Sequence, residues 1–112
     1  MLKKLKRLLN RCIEERDISY NELKERMQKE NILLIDVRSN QEYEEGHLNG
    51  AINIPLYRLE QEIEKYVENK EQVIFLYCSS GYRSKQGRSK LEKLGYTNVY
   101  SLQEGIDKIW VK

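Results

Sequence analysis

The sequence predicts a three-layer α/β domain: a central parallel sheet of about five strands flanked by helices. Three observations lead there. Ile32 to Val37 and Val73 to Tyr77 are nearly unbroken apolar runs, the pattern of strands covered on both faces. Stretches with apolar residues three and four apart alternate with them, as helices packed on such a sheet require. A polar loop with one glycine, residues 78–84, follows the second run and falls at the C-terminal edge of that strand, where open α/β sheets bind ligands.

Composition bounds the rest. A chain of 112 residues suffices for one domain, and 34% charged residues with a net charge of +2 describe a soluble protein with no call for nucleic acid. The charge is uneven: residues 1–16 hold six Lys/Arg against two Glu, and residues 17–112 hold fourteen against sixteen Asp/Glu. Two cysteines far apart, Cys12 and Cys78, form neither a disulfide framework nor a metal-spaced set, so no metal is expected and a reducing cytoplasm fits. No run reaches the roughly 18 apolar residues of a membrane span, and the leader lacks the apolar core and cleavage site of a signal peptide.

In chain order, residues 1–16 form a first unit. Apolar residues at 2, 5, 8, 9, 12 and 13 with Lys and Arg between them predict a basic amphipathic helix. Packing against the domain is the favoured use of that helix, ahead of an anionic membrane surface or an acidic partner. Cys12, on its apolar face, is read as a buried hydrophobe rather than as a resolving thiol for Cys78. Residues 17–112 form the second unit. A short strand near Ile18 runs into a helix capped by Ser19 or Asn21, with Leu23 and Met27 on its inner face. After the strand Ile32–Val37, Gly46 and Gly50 predict a turn, and Ala51 to Ile54 an edge-to-middle strand closed by Pro55. Leu56, Leu59, Ile63 and Val67 predict a surface helix from Tyr57 to Val67. A helix from Ser84 to Leu94, with Ser84 as N-cap and Gly95 just past its end, leads to a last strand, Tyr96 to Leu102. A final short helix carries Ile106, Ile109 and Trp110 onto the core.

The loop Cys78-Ser79-Ser80-Gly81-Tyr82-Arg83-Ser84 concentrates the chemistry. Turned backbone N–H groups and the start of a helix cradle an anion, and basic residues nearby favour a thiolate at Cys78. Gly81 admits positive φ, and Ser79, Ser80 and Ser84 are small hydrogen-bonding residues. Asp36 beside Arg38 is read as a paired organiser of loops rather than a general base. His47, the single histidine, is read as structural.

Cys-x-x-Gly-x-Arg-Ser after a buried strand resembles the active-site loop of single-domain rhodaneses, sulfurtransferases that carry sulfur as a cysteine persulfide. Asp36-Val37-Arg38, followed by Glu42-Tyr43, Gly46-His47 and Gly50-Ala51-Ile52-Asn53-Ile54-Pro55, resembles the N-terminal signature of that family, and Gly95 to Leu102 its C-terminal one. The resemblance spans residues 18–110 and implies a rhodanese-like fold. It also implies Cys78 as nucleophile, no organic cofactor, a small sulfur-containing anion such as thiosulfate as donor, and cyanide, a thiol or an acceptor protein as acceptor. Arg83 would pair with a sulfonate leaving group, and Tyr82 would stand at the pocket mouth. Two other readings keep the same cysteine: a persulfide carrier or protein-binding module with little turnover of free thiosulfate, and an arsenate reductase or phosphatase. Phosphatases on this fold place Arg six residues after Cys, where this chain has Ser84. Glu104-Gly105 replaces the family's usual Gly-Gly, which puts a carboxylate where it could crowd the site or repel an anionic donor.

Overall fold

The structure is a computed structural model that describes residues 16–110, without the side chain of Trp110. Of the leader helix expected over residues 1–16, residues 1–15, with Cys12, lie outside the described residues, as does the packing of the Trp110 side chain.

Five parallel strands form one sheet in the order β1-β5-β4-β2-β3, where β1 is Asp17–Ile18, β2 Ile32–Asp36, β3 Ile52–Asn53, β4 Val73–Tyr77 and β5 Val99–Leu102. Both long apolar runs became the central strands. Their register pairs Ile32 with Val73 and Asp36 with Tyr77, so the two strands end level with one another. Ile35, Ile74 and Leu76 lie in the core on the face also occupied by Leu59, Ile63 and Leu91. Leu34, Phe75 and Tyr77 belong to the opposite core with Ile18, Leu23 and Ile106. Alternation along doubly covered strands thus feeds two cores, each buried Leu or Ile contributing about 1.5–3 kcal/mol.

The helices are α1 (Tyr20–Lys29), α2 (Asn40–Glu45), α3 (Leu59–Tyr66, entered through a 3₁₀ turn at Leu56–Arg58), α4 (Tyr82–Lys93) and α5 (Ile106–Trp110). Ser19 caps α1 by accepting the Glu22 N–H, one of the two caps expected. Met27 departs from expectation: Leu23 is buried, but Met27 is 36% exposed, lining a groove with Leu34 and Leu48. Helix α2 was not expected at all, although Ser39 and Glu42 form a complete capping box, a signal present in the sequence. Strand β3 lies at the sheet edge and spans two residues. Strand β5 starts at Val99, not Tyr96, because the Tyr96 side chain is buried in the core and donates its hydroxyl to Val67 O at 2.6 Å.

Helix α4 begins at Tyr82, two residues before the expected start. Gly81, at φ +95°, holds the N-cap position, so Ser84 is inside the first turn and buried. The cause is a close approach: a Cβ on Gly81 would lie 2.8 Å from Gln103 O, and only glycine makes this turn there. Gly87 brings α4 onto the sheet, where a Cβ would meet Leu76 Cδ1 at 2.9 Å and Leu59 Cδ2 at 3.1 Å.

Candidate active site

Cys78 follows the last residue of β4, fully buried, with the loop to α4 wrapped around its sulfur. Gly81 N–H donates to Sγ at 3.0 Å and Ser84 N–H at 3.4 Å. The Ser84 hydroxyl lies 3.7 Å from Sγ and donates to Gly81 O at 3.0 Å. Two amides and the first turn of a twelve-residue helix therefore converge on one sulfur. Such an arrangement stabilises negative charge there without a side-chain cation in contact.

The loop is held from behind by α5. Ile106 N–H donates to Cys78 O at 2.9 Å and Asp107 N–H to Ser79 O at 3.1 Å. Gly105 permits this: at φ +73°, a Cβ there would come within 2.3 Å of Ser79 O. Glu104, a candidate to crowd the site, is exposed in a groove lined by Ser19, Tyr20, Asn21, Lys108 and Ile109, with no residue of the Cys78 loop. The family's second glycine is the one the packing needs.

Arg83 points across to α2. Its Nη1 lies 2.8 Å from Glu42 Oε1 and its Nη2 3.0 Å from Oε2, while the Ser79 hydroxyl donates to Oε2 at 3.2 Å. The sequence reading pairs Arg83 with a sulfonate leaving group; in the structure both of its terminal nitrogens lie against the Glu42 carboxylate. The guanidinium, opposed by partial burial and assisted by Ser39, holds the Glu42 carboxyl down at about 2. Glu42 in turn raises the already basic Arg83. Residue-type reasoning missed Glu42; its capping-box spacing from Ser39 marks its place on α2 but not its partner.

Of the other residues singled out, Ser80 and Tyr82 are exposed, Tyr82 at 70%. Asp36 and Arg38 form a buried pair: Nη2 lies 2.8 Å from Oδ2, Nε 3.1 Å from both oxygens, and Nη2 also donates to Gly46 O at 2.6 Å. Asn53 Nδ2 donates to both Asp36 O and Arg38 O. The Tyr77 phenol, pushed up by burial, accepts the Leu48 N–H at 2.9 Å beside this network. His47 is exposed; its ring stacks on Tyr43 at 3.7 Å and Nδ1 lies 2.9 Å from Tyr43 O. The structure thus gathers Cys78, Ser79, Gly81, Arg83 and Ser84 in one hydrogen-bonded site and gives His47 no hydrogen bond to it.

Comparison with known proteins bears directly on this geometry. The Rhodanese-like domain model matches residues 19–112. The chain belongs to the rhodanese-like family. This rhodanese-like chain is 33% identical over 92 residues to the thiosulfate sulfurtransferase GlpE of Coxiella burnetii, covering 82% of this chain and 84% of that one. It is 40% identical over 65 residues to the thiosulfate sulfurtransferase PspE of Escherichia coli K12, which is 58% of this chain. The match spans 62% of PspE, under two thirds of its length. A solved structure described as rhodanese with anions from E. coli superposes with a TM-score of 0.65 at 34% identity, covering 73% of this chain and 95% of that one. Among the described residues no helix is long and apolar enough to cross a membrane.

Proposed function

We propose that the protein is a sulfurtransferase in which Cys78 carries sulfane sulfur as a persulfide. The observation that carries the reading is the pair of amides, Gly81 N–H and Ser84 N–H, 3.0 and 3.4 Å from Sγ at the head of α4. Cys78 thiolate attacks the outer sulfur of a donor such as thiosulfate; the donor's S–S bond breaks and sulfite leaves with the bonding pair. The negative charge stays on the new outer sulfur, held by the same amides and helix terminus. A thiol, cyanide or an acceptor protein then attacks that sulfur and returns Cys78 to the thiolate. The relatives named thiosulfate sulfurtransferase support this chemistry. Ser79, Ser80 and Tyr82 line or flank the entrance, and Asp36 and Arg38 brace the loop beside it.

The engagement of Arg83 by Glu42 weighs against an arsenate reductase or phosphatase, which needs a guanidinium free to encircle the oxyanion. The rhodanese-like unit is assigned to residues 17–112, preceded by the basic amphipathic sequence of residues 1–16, in a cytoplasmic protein. A persulfide carrier with little free-thiosulfate turnover uses the same cysteine and is separated by donor choice. Intact mass after incubation of the reduced protein with thiosulfate, beside Cys78→Ser, tests the proposal. The expected result is a gain of one sulfur that requires Cys78 and is removed by cyanide as thiocyanate. Loading from a persulfide alone favours the carrier; loading from neither donor overturns sulfur transfer.

A further inference from the structure

The basic side chains around the Cys78 loop already face carboxylates. Arg38 is forked on Asp36, Arg83 on Glu42, and Lys85 Nζ lies 3.3 Å from Asp17 Oδ2. Arg88, one turn further along α4, is the exception: it lies 4.0 Å from Glu92, and its Nε and Nη1 are buried without a hydrogen-bond partner among the described residues. The positive potential at Sγ therefore comes mainly from backbone amides and the α4 terminus, equivalent to roughly half a unit charge. That suits one negative charge near the sulfur better than two.

We propose that Glu42 is a specificity-determining residue of the donor site: by occupying the Arg83 fork, it tunes the pocket to singly charged sulfane donors, thiosulfonates or alkyl persulfides, over the thiosulfate dianion. This rests on the sulfur-transfer reading above. Glu42 acts through Arg83 and Ser79 and is a positioning residue, since nothing places it against the sulfur. A thiosulfonate R-SO₂-S⁻ reacts as thiosulfate does: Cys78 thiolate takes the outer sulfur, the S–S bond breaks, and a sulfinate leaves with the electron pair. Its R group replaces one anionic oxygen, so the two donors differ chiefly in a single charge.

The experiment compares kcat/KM for thiosulfate and methanethiosulfonate in the parent protein, in Glu42→Gln, and in Glu42→Gln/Arg83→Gln, with cyanide as acceptor. Gln keeps the N3 position of the Ser39 capping box, so α2 retains its start. Releasing Arg83 should raise kcat/KM for thiosulfate about tenfold, through KM, and for methanethiosulfonate only about threefold. Intrinsic donor reactivity cancels, because the readout is the change in the ratio between variants. In the double variant the thiosulfate gain should disappear. Equal changes for both donors in Glu42→Gln, or a gain that survives without Arg83, would overturn the inference while leaving sulfur transfer intact. Failure of the parent to take sulfur from either donor overturns this inference, and failure to load from an alkyl persulfide as well overturns the sulfur-transfer reading beneath it.

Discussion

Two arginine–carboxylate pairs stand at the C-terminal edge of the sheet, and their surroundings set them apart. The Arg38 and Asp36 side chains are 5% and 0% exposed; those of Arg83 and Glu42 are 35% and 33%. Arg38 and Asp36 are two residues apart, and their pair is reinforced by Gly46 O and the Arg38 N–H. Arg83 and Glu42 are forty-one residues apart and share only the Ser79 hydroxyl. Removing one member of a dry pair strands a charge, whereas water readily replaces the partner of a wet one. The first pair is therefore architecture, and the second is an adjustable contact at the rim.

That contrast breaks most visibly at Asp36. Asp36→Ala leaves the Arg38 guanidinium buried without its carboxylate, so urea unfolding should show a loss of about 3–5 kcal/mol. A loss below about 1 kcal/mol would mean the two pairs are equivalent after all. Ser39→Ala removes the N-cap of the helix that presents Glu42, and the same measurement should give about 1 kcal/mol. Glu42→Gln should cost less, within about 0.2–1 kcal/mol, as exposed pairs do.

The pH profile sharpens the distinction. The Glu42 carboxyl, ordinarily near 4.5, is held at about 2 in the folded protein. The pair's contribution is therefore fully present above about pH 4.5 and fades as pH falls toward 2. The stability difference between parent and Glu42→Gln should be flat from neutral pH to near 5 and shrink below it. A difference that stays constant down to pH 3 would remove the linkage. The smallest effect belongs to His47, exposed and stacked on Tyr43: His47→Ala should change stability by no more than about 0.5 kcal/mol and leave sulfur loading of Cys78 unaltered in an intact-mass assay.

Much of the scaffold was legible because its signals are local. An unbroken apolar run predicted β4 from Val73 to Tyr77, the bounds observed. Ser19 was visible as a cap, and Gly95 as the residue just past the C-cap of α4, where its φ is +100°. The misreadings share a cause. Ser84 looks like an N-cap, but Gln103 O approaches Gly81 so closely that the turn, and with it the helix start, moves two residues earlier. Tyr96 looks like strand, but its ring is drawn into the core to meet Val67 O. Glu104 looks intrusive because it replaces a glycine, yet it is exposed in a groove with no residue of the Cys78 loop, while Gly105 meets the loop backbone.

By itself the sequence determined the alternation of elements and the place of Cys78 at the C-terminal end of β4. Periodicity, capping and glycine freedom act over a few residues and so can be read along the chain. Only the tertiary structure decided which side chains meet at that edge. Strands β2 and β4 lie side by side in register and end level, so the segments that follow them, one carrying Glu42 and the other Arg83, are brought together. Whether Arg83 waits for a donor or is already bound depends on that adjacency, which no local pattern records.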